Sequence, residues 1–177
     1  MRNNSVAGVG PAGTTIAGAL FATAAGGDIS GVVVGARTSA AGVGVGGRFG
    51  LFYAAVPYGQ ASTTGAWVFG LQQNSENRTN LAIVNTGETD ANSDTFVIDL
   101  YDGATGAKVK SMDPIVLNAH GWVQIGTILT NAPGVQQGYA QVRRTSGANP
   151  FITYAVINDG AGPGQRTGDG AYMGSSQ

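Results

Sequence analysis

The sequence predicts an all-β fold, an antiparallel β-sandwich, and three observations carry that expectation. Composition is the first: the 177 residues include 30 Gly, and only 11% are charged, against about 25% in an average soluble domain. Gly is depleted from helix interiors, while the frequent Val, Ile and Thr suit pleated strands. The second is strict alternation, clearest in DTFVIDLYDG, where Phe96, Ile98 and Leu100 share one face and Val97, Asp99 and Tyr101 the other. The third is the lack of a 3.6-residue pattern longer than two turns. At 42% hydrophobic the chain has enough apolar residues for a core, and its length fits one domain or two small ones.

Strands are expected at 17–24, 29–38, 48–56, 66–72, 78–85, 95–101, 108–112, 122–127, 138–145 and 151–158. Most run 5 to 9 residues and are bounded by Gly, Asn, Asp or Pro. Asp102-Gly103 and Gly106 close a hairpin after the clearest strand. NRTNLAIVN, residues 77–85, alternates like a half-buried strand but opens on the polar Arg78-Thr79. The segments starting at Gly18 and Gly138 share a pattern of Gly, strand, small turn, β-branched strand and Ala-Gly. That offset of about 120 residues is the size of one sandwich. It predicts a partial sandwich over 1–57, a linker over 58–65 and a complete sandwich over 66–177.

Taken in order, ART, GLFYAAVP, GLQQNSENRTNLAIVNTG, VIDLYDGATG, LNAHGWVQI, GYAQVRR and PFITYAVINDGAGPGQRTGDGAYM span most of residues 35–173. This order and spacing resembles a tandem immunoglobulin-like β-sandwich unit found in the C-terminal regions of large secreted or surface bacterial proteins. The chain departs from the pattern at Ala54-Ala55, at Ala119-His120-Gly121 and at Gly170, all turn or linker positions. The resemblance implies an immunoglobulin-like, non-catalytic accessory module, extracellular or at the cell surface, with Arg78-Thr79-Asn80 opening its second strand. A structural network is expected around those residues: Arg78 with Asp159 or Asp169 at a strand end, Asn80 beside it, and Asn85 capping the following turn.

Charge and residue inventory exclude several functions. Formal net charge is −1, and only Arg143-Arg144 are adjacent among the nine basic residues, so nucleic acid is not an expected partner. The absence of Cys removes disulfides, thiolate metal sites and Cys nucleophiles. MRNNSVAGVGPAG lacks the apolar run of a signal peptide, and no run of about 18 apolar residues predicts a membrane span. The single imidazole, His120, lies in the turn NAHGW with no G-x-S-x-G elbow to serve.

Three clusters remain as candidates. Glu88, Asp90, Asn92 and Asp94 alternate acids and amides over one loop, in the manner of a calcium site but without its full spacing; calcium is the one cofactor the sequence suggests. Tyr58, Tyr101 and Trp67 are the aromatics placed to meet a ligand, while Trp122 is expected between the sheets. Either Trp67 and Phe69 or Ala66 and Val68 are expected in the core. Asp99 is the acid of most interest, expected at a solvent-facing position and paired with Lys108 or Lys110 across the hairpin. The expected function is a structural or interaction module for spacing, adhesion or self-assembly by strand complementation. Its partners would be other domains of a longer protein, or copies of itself forming an oligomer or fibre through open edges. The alternative is a glycan-binding or hydrolytic domain using exposed Tyr with Asp99, Glu76 or Glu88.

Overall fold

The computed structural model describes residues 17–23, 26, 31–38, 40–41, 48–160 and 170–176. Strands and one short 3-10 helix make up its regular structure, and every ladder is antiparallel. The short N-terminal strands are β1 (Gly35–Arg37), β2 (Ala40–Ala41), β3 (Arg48–Phe49) and β4 (Phe52–Ala54). The longer ones are β5 (Gly65–Gln72), β6 (Asn77–Asn85), β7 (Asp94–Asp102), β8 (Lys108–Ser111), β9 (Ile115–Leu117) and β10 (Trp122–Ile125). The turn Ile128–Asn131 leads to β11 (Gln137–Ser146), β12 (Phe151–Asp159) and β13 (Gly170–Gly174).

Two sheets form the sandwich. One runs β10-β6-β12-β13; the other runs β5-β11-β7-β8, with β9 on the same edge of β7 as β8. Period-two alternation gives each sheet one apolar face. Ala66, Val68 and Leu71 of β5, Phe96, Ile98 and Leu100 of β7, and Ala140 and Val142 of β11 meet Leu81 and Ile83 of β6 and Phe151 and Ala155 of β12. Ile128 and Leu129 close one end of this core. Within these sheets β6 pairs with β10 and β12, and β11 with β5 and β7.

The N-terminal region departs from the sequence expectation. Residues 17–23 form no strand, and of the span expected at 29–38 only β1 is strand among the described residues. The span expected at 48–56 breaks into β3 and β4. Gly and Ala supply little side chain to pack, and among the described residues these strands pair only with each other, in ladders of two or three residues. Tyr53 of β4 lies against Tyr154 and Tyr172, with ring centroids 5.8 and 5.5 Å apart, on the outer face of the β10-β6-β12-β13 sheet. The segment expected as linker is partly tied in: Ala61 and Ser62 are buried, and Ser62 bridges Phe151 with backbone bonds of 3.0 and 2.8 Å. After β13 the chain crosses to the opposite sheet, where Ser176 bridges Trp67.

Candidate functional site

The outer face of the β5-β11-β7-β8 sheet carries an aromatic ladder. The alternation that buries Ala66 and Val68 turns Trp67 and Phe69 outward, and the same rule turns Tyr139 and Tyr101 outward from β11 and β7. Tyr101 and Tyr139 are register partners, and their rings stack at 5.0 Å, within 3° of parallel. Trp67 lies 5.4 Å from Tyr101 and 5.9 Å from Tyr139, and Phe69 lies 5.5 Å from Tyr139. Two of the three residues predicted for ligand contact, Trp67 and Tyr101, therefore come together. Tyr58 stands apart in the 57–60 turn, 80% exposed. Phe69 and Tyr139 join them, and the signal that could have found both was the same period-two reading carried across neighbouring strands.

The ladder continues into a polar node. Asp99 lies on the same outward face, yet it is buried. Arg143 donates to Asp99 Oδ2 from Nε at 3.1 Å and from Nη2 at 2.8 Å, the Ser111 hydroxyl donates to Oδ1, and Lys108 Nζ lies 3.8 Å away. Burial alone would raise this carboxyl; the Ser111 hydroxyl, Arg143 and Lys108 outweigh it and hold Asp99 below the usual carboxylate range. The expected solvent-facing position is thus corrected. The neighbouring side chains fold over Asp99, and Arg143, a partner supplied from β11, is invisible from the hairpin alone.

The acidic loop is organised by a residue the sequence reading missed. Asn149 is fully buried and holds the loop through both ends of its amide. Its Oδ1 accepts from the N–H groups of Thr89 and Asp90, each at 2.9 Å. Its Nδ2 donates to Asp90 Oδ1 at 3.0 Å, and to the Asn92 carbonyl and Asp94 Oδ1, each at 3.3 Å. Asp94 Oδ2 accepts the Asn149 N–H at 2.8 Å and lies 3.9 Å from Arg144. The amide nitrogen therefore sits among three oxygens where a cation could have been expected. The N–H and side chain of Asn92 lower the Asp90 carboxyl, with a further contribution from Asn149. Glu88 turns the other way and accepts from Gly59 N–H at 3.1 Å. Among the described residues, no three His, Cys, Asp or Glu side chains lie close enough to hold a metal ion.

The residues predicted as one network along β6 occupy its two ends. At the start, Thr79 Oγ1 accepts from Gln72 N–H at 2.8 Å and donates to Gln72 O at 2.9 Å, replacing a strand partner where the chain passes between sheets. Arg78 Nη1 donates to the carbonyls of Asp159 and Gly160 at 3.2 and 2.8 Å. Asn80 Oδ1 accepts from Thr127 N–H at 3.0 Å. At the far end Asn85 accepts from Gly87 N–H and donates to Leu117 O, each at 3.0 Å. Asp169 lies outside the described residues.

Trp122 is corrected as well. Val123 and Ile125 pack on the core, so Trp122 faces outward, and its Nε1 donates to Tyr154 Oη at 3.1 Å. His120 occupies its turn with φ 61°, exposed, its ring 4.8 Å from that of Phe21. No protein-family model, curated protein or solved structure matches this chain.

Proposed function

We propose that the protein is a non-catalytic structural and interaction module that works outside the cell through its surfaces. The observation that carries this reading is the state of Asp99. A general base needs an unpaired carboxylate with a pKa near the working pH. Asp99 is buried, ion-paired to Arg143 and Lys108, and lowered. Asp90, Asp94 and Glu88 likewise accept hydrogen bonds from the scaffold. The likeness to tandem surface sandwiches and the low charge favour the same reading. Its test is turnover of chromogenic glycoside, ester and peptide substrates by the full chain. The expected outcome is no turnover above blank. Turnover that Asp99→Asn abolishes without lowering the melting temperature would overturn it.

A specific observation favours self-assembly as one form of this function. Several apolar side chains of the N-terminal region are exposed: Leu20, Phe21, Val32, Val33, Val34 and Phe52, with Val33 88% exposed. Exposed apolar side chains beside a two-stranded ladder suit association with another module or copy. Light scattering then gives a mass above that of one chain at tens of micromolar, and Val33→Asp lowers it. A monomer at every concentration counts against assembly.

A further inference from the structure

We infer that the module's ligand is a neutral polysaccharide, held by one sugar ring in a cleft at the Phe69–Tyr139 end of the aromatic ladder. This inference rests on the interaction-module reading and names its ligand.

The cleft begins with a break in register. Val68 pairs with Ala140 and Leu71 with Gly138, so Phe69 and Gly70 together face the single residue Tyr139. This is a β-bulge, which bends its strand and re-aims its side chains. Gly70 takes φ +79°, and a side chain there would press on Met173 Sδ at 3.3 Å, so the bulge needs glycine. As a result Phe69 is 54% exposed, although its neighbours on the ladder are half-buried.

Beside the bulge is an open, shallow depression of about 240 Å³. Phe69, Tyr139, Gln72 and Gln137 supply its side-chain chemistry, and Gly70, Gly103 and Gly138 let a ligand approach the backbone. That volume is smaller than the roughly 300–1,000 Å³ of sites that enclose a whole drug-sized ligand. It suits a single ring of a longer chain. Among the described residues, no carboxylate, ammonium or guanidinium lines the cleft. An anionic partner would find no countercharge there, and a cationic one only the faces of Phe69 and Tyr139. An apolar partner would strand the two glutamine amides, each with both donors and an acceptor. A pyranose matches both demands: its C–H face lies on an aromatic ring, and its hydroxyls exchange hydrogen bonds with amides. The charged groups of this face, Asp99, Arg143 and Lys108, are engaged with one another further along the sheet.

The experiment uses the full chain and insoluble cellulose, chitin and mannan, with polygalacturonate as the acidic comparison. Depletion from solution and release of reducing ends are read together. Retention on at least one neutral polysaccharide is expected, unchanged between about 0.05 and about 0.5 M salt because no ion pair contributes. Phe69→Ala weakens it about tenfold, and Gln137→Ala, at an exposed position, weakens it with no change in circular dichroism. Tyr58→Ala binds as the parent does. The inference is overturned if no neutral polysaccharide retains the protein, if Phe69→Ala and Gln137→Ala bind unchanged, or if polygalacturonate retains it in a salt-sensitive way. Release of reducing ends would instead overturn the non-catalytic reading. Failure to bind without release would sink the ligand assignment alone.

Discussion

Asp99 sets the scale at which single residues matter in this protein. Its carboxylate is buried with Arg143, Ser111 and Lys108 around it, so Asp99→Ala removes a charge-assisted hydrogen-bond set, while those partners, themselves partly exposed, keep access to water. A loss of about 1–3 kcal/mol is expected, read from denaturant midpoints. The pH dependence has a definite sign. The unfolded carboxyl titrates near its ordinary 3.8 and the folded one lower. As pH falls the unfolded chain takes up the proton first, so this contribution is complete above about pH 5 and is lost as pH drops through the folded value. The melting temperature of the parent should therefore fall more steeply below about pH 4 than that of Asp99→Asn; parallel curves would contradict the assignment. Thr79 offers a second residue-scale test. Thr79→Val keeps shape but leaves Gln72 N–H and C=O without the hydroxyl, at an expected cost of about 2 kcal/mol. Asn149→Ala should cost about 3 kcal/mol, because Thr89, Asp90 and Asp94 all lose a partner. Asn149→Asp should cost more at neutral pH and less in acid, because it brings a third carboxylate to Asp90 and Asp94.

Elements meet most tightly where β11 passes between β5 and β7. A Cβ on Gly138 would fall within the Tyr101 carbonyl oxygen, with Val135 and Leu129 close behind. Gly138→Ala therefore has to separate β11 from β7, or distort both, at about 3 kcal/mol. The measurement is hydrogen exchange: protection at Tyr101 and Tyr139 should fall together, since they are register partners. Loss at only one of them would mean the strain is absorbed locally. The β8 edge shows the opposite arrangement. It is exposed along its length and carries Lys108 and Lys110, charges that discourage edge pairing. Exposed apolar side chains are more numerous toward the N-terminus, at Leu20, Phe21, Val32, Val33, Val34 and Phe52, than on the β8–β9 edge, where Val109 and Val116 are exposed, which is why assembly is placed there.

Across the whole molecule, the N-terminal ladders and the sandwich differ in how they are held. The sandwich has a continuous core from Ala66 to Ala155. The β1–β4 pair meets it through Tyr53, packed on Tyr154 and Tyr172. Burial first, and then the neighbouring Tyr154 and Tyr172 phenols, raise the Tyr53 phenol above its ordinary value. Tyr53→Ala should accelerate limited proteolysis before residue 57 while leaving the sandwich's unfolding transition in place. If that transition shifts together with cleavage, the two parts unfold as one unit.

The seven strands expected after Gly65 were legible in the sequence, because period-two alternation and turn residues are local properties; the short β9 and β13 were missed, being too brief to show an alternating pattern. The sequence told which face of β7 is buried and placed Tyr101 outward, but it left open whether Trp67 and Phe69 or Ala66 and Val68 enter the core. It could not place Trp122, because a bulky aromatic fits either face of a strand and only the packing of Val123 and Ile125 settles which. It missed Asn149, which lies 55 residues from Asp94 and meets it only when β11 is laid on β7. The pairing of Asp99 with Arg143 has the same origin: 44 residues separate them, and the β11–β7 register brings them together. Which strands share a sheet, which polar groups satisfy one another, and where a bulge opens a cleft were decided by tertiary structure alone. Those are contacts between distant parts of the chain, whose energies no local pattern records.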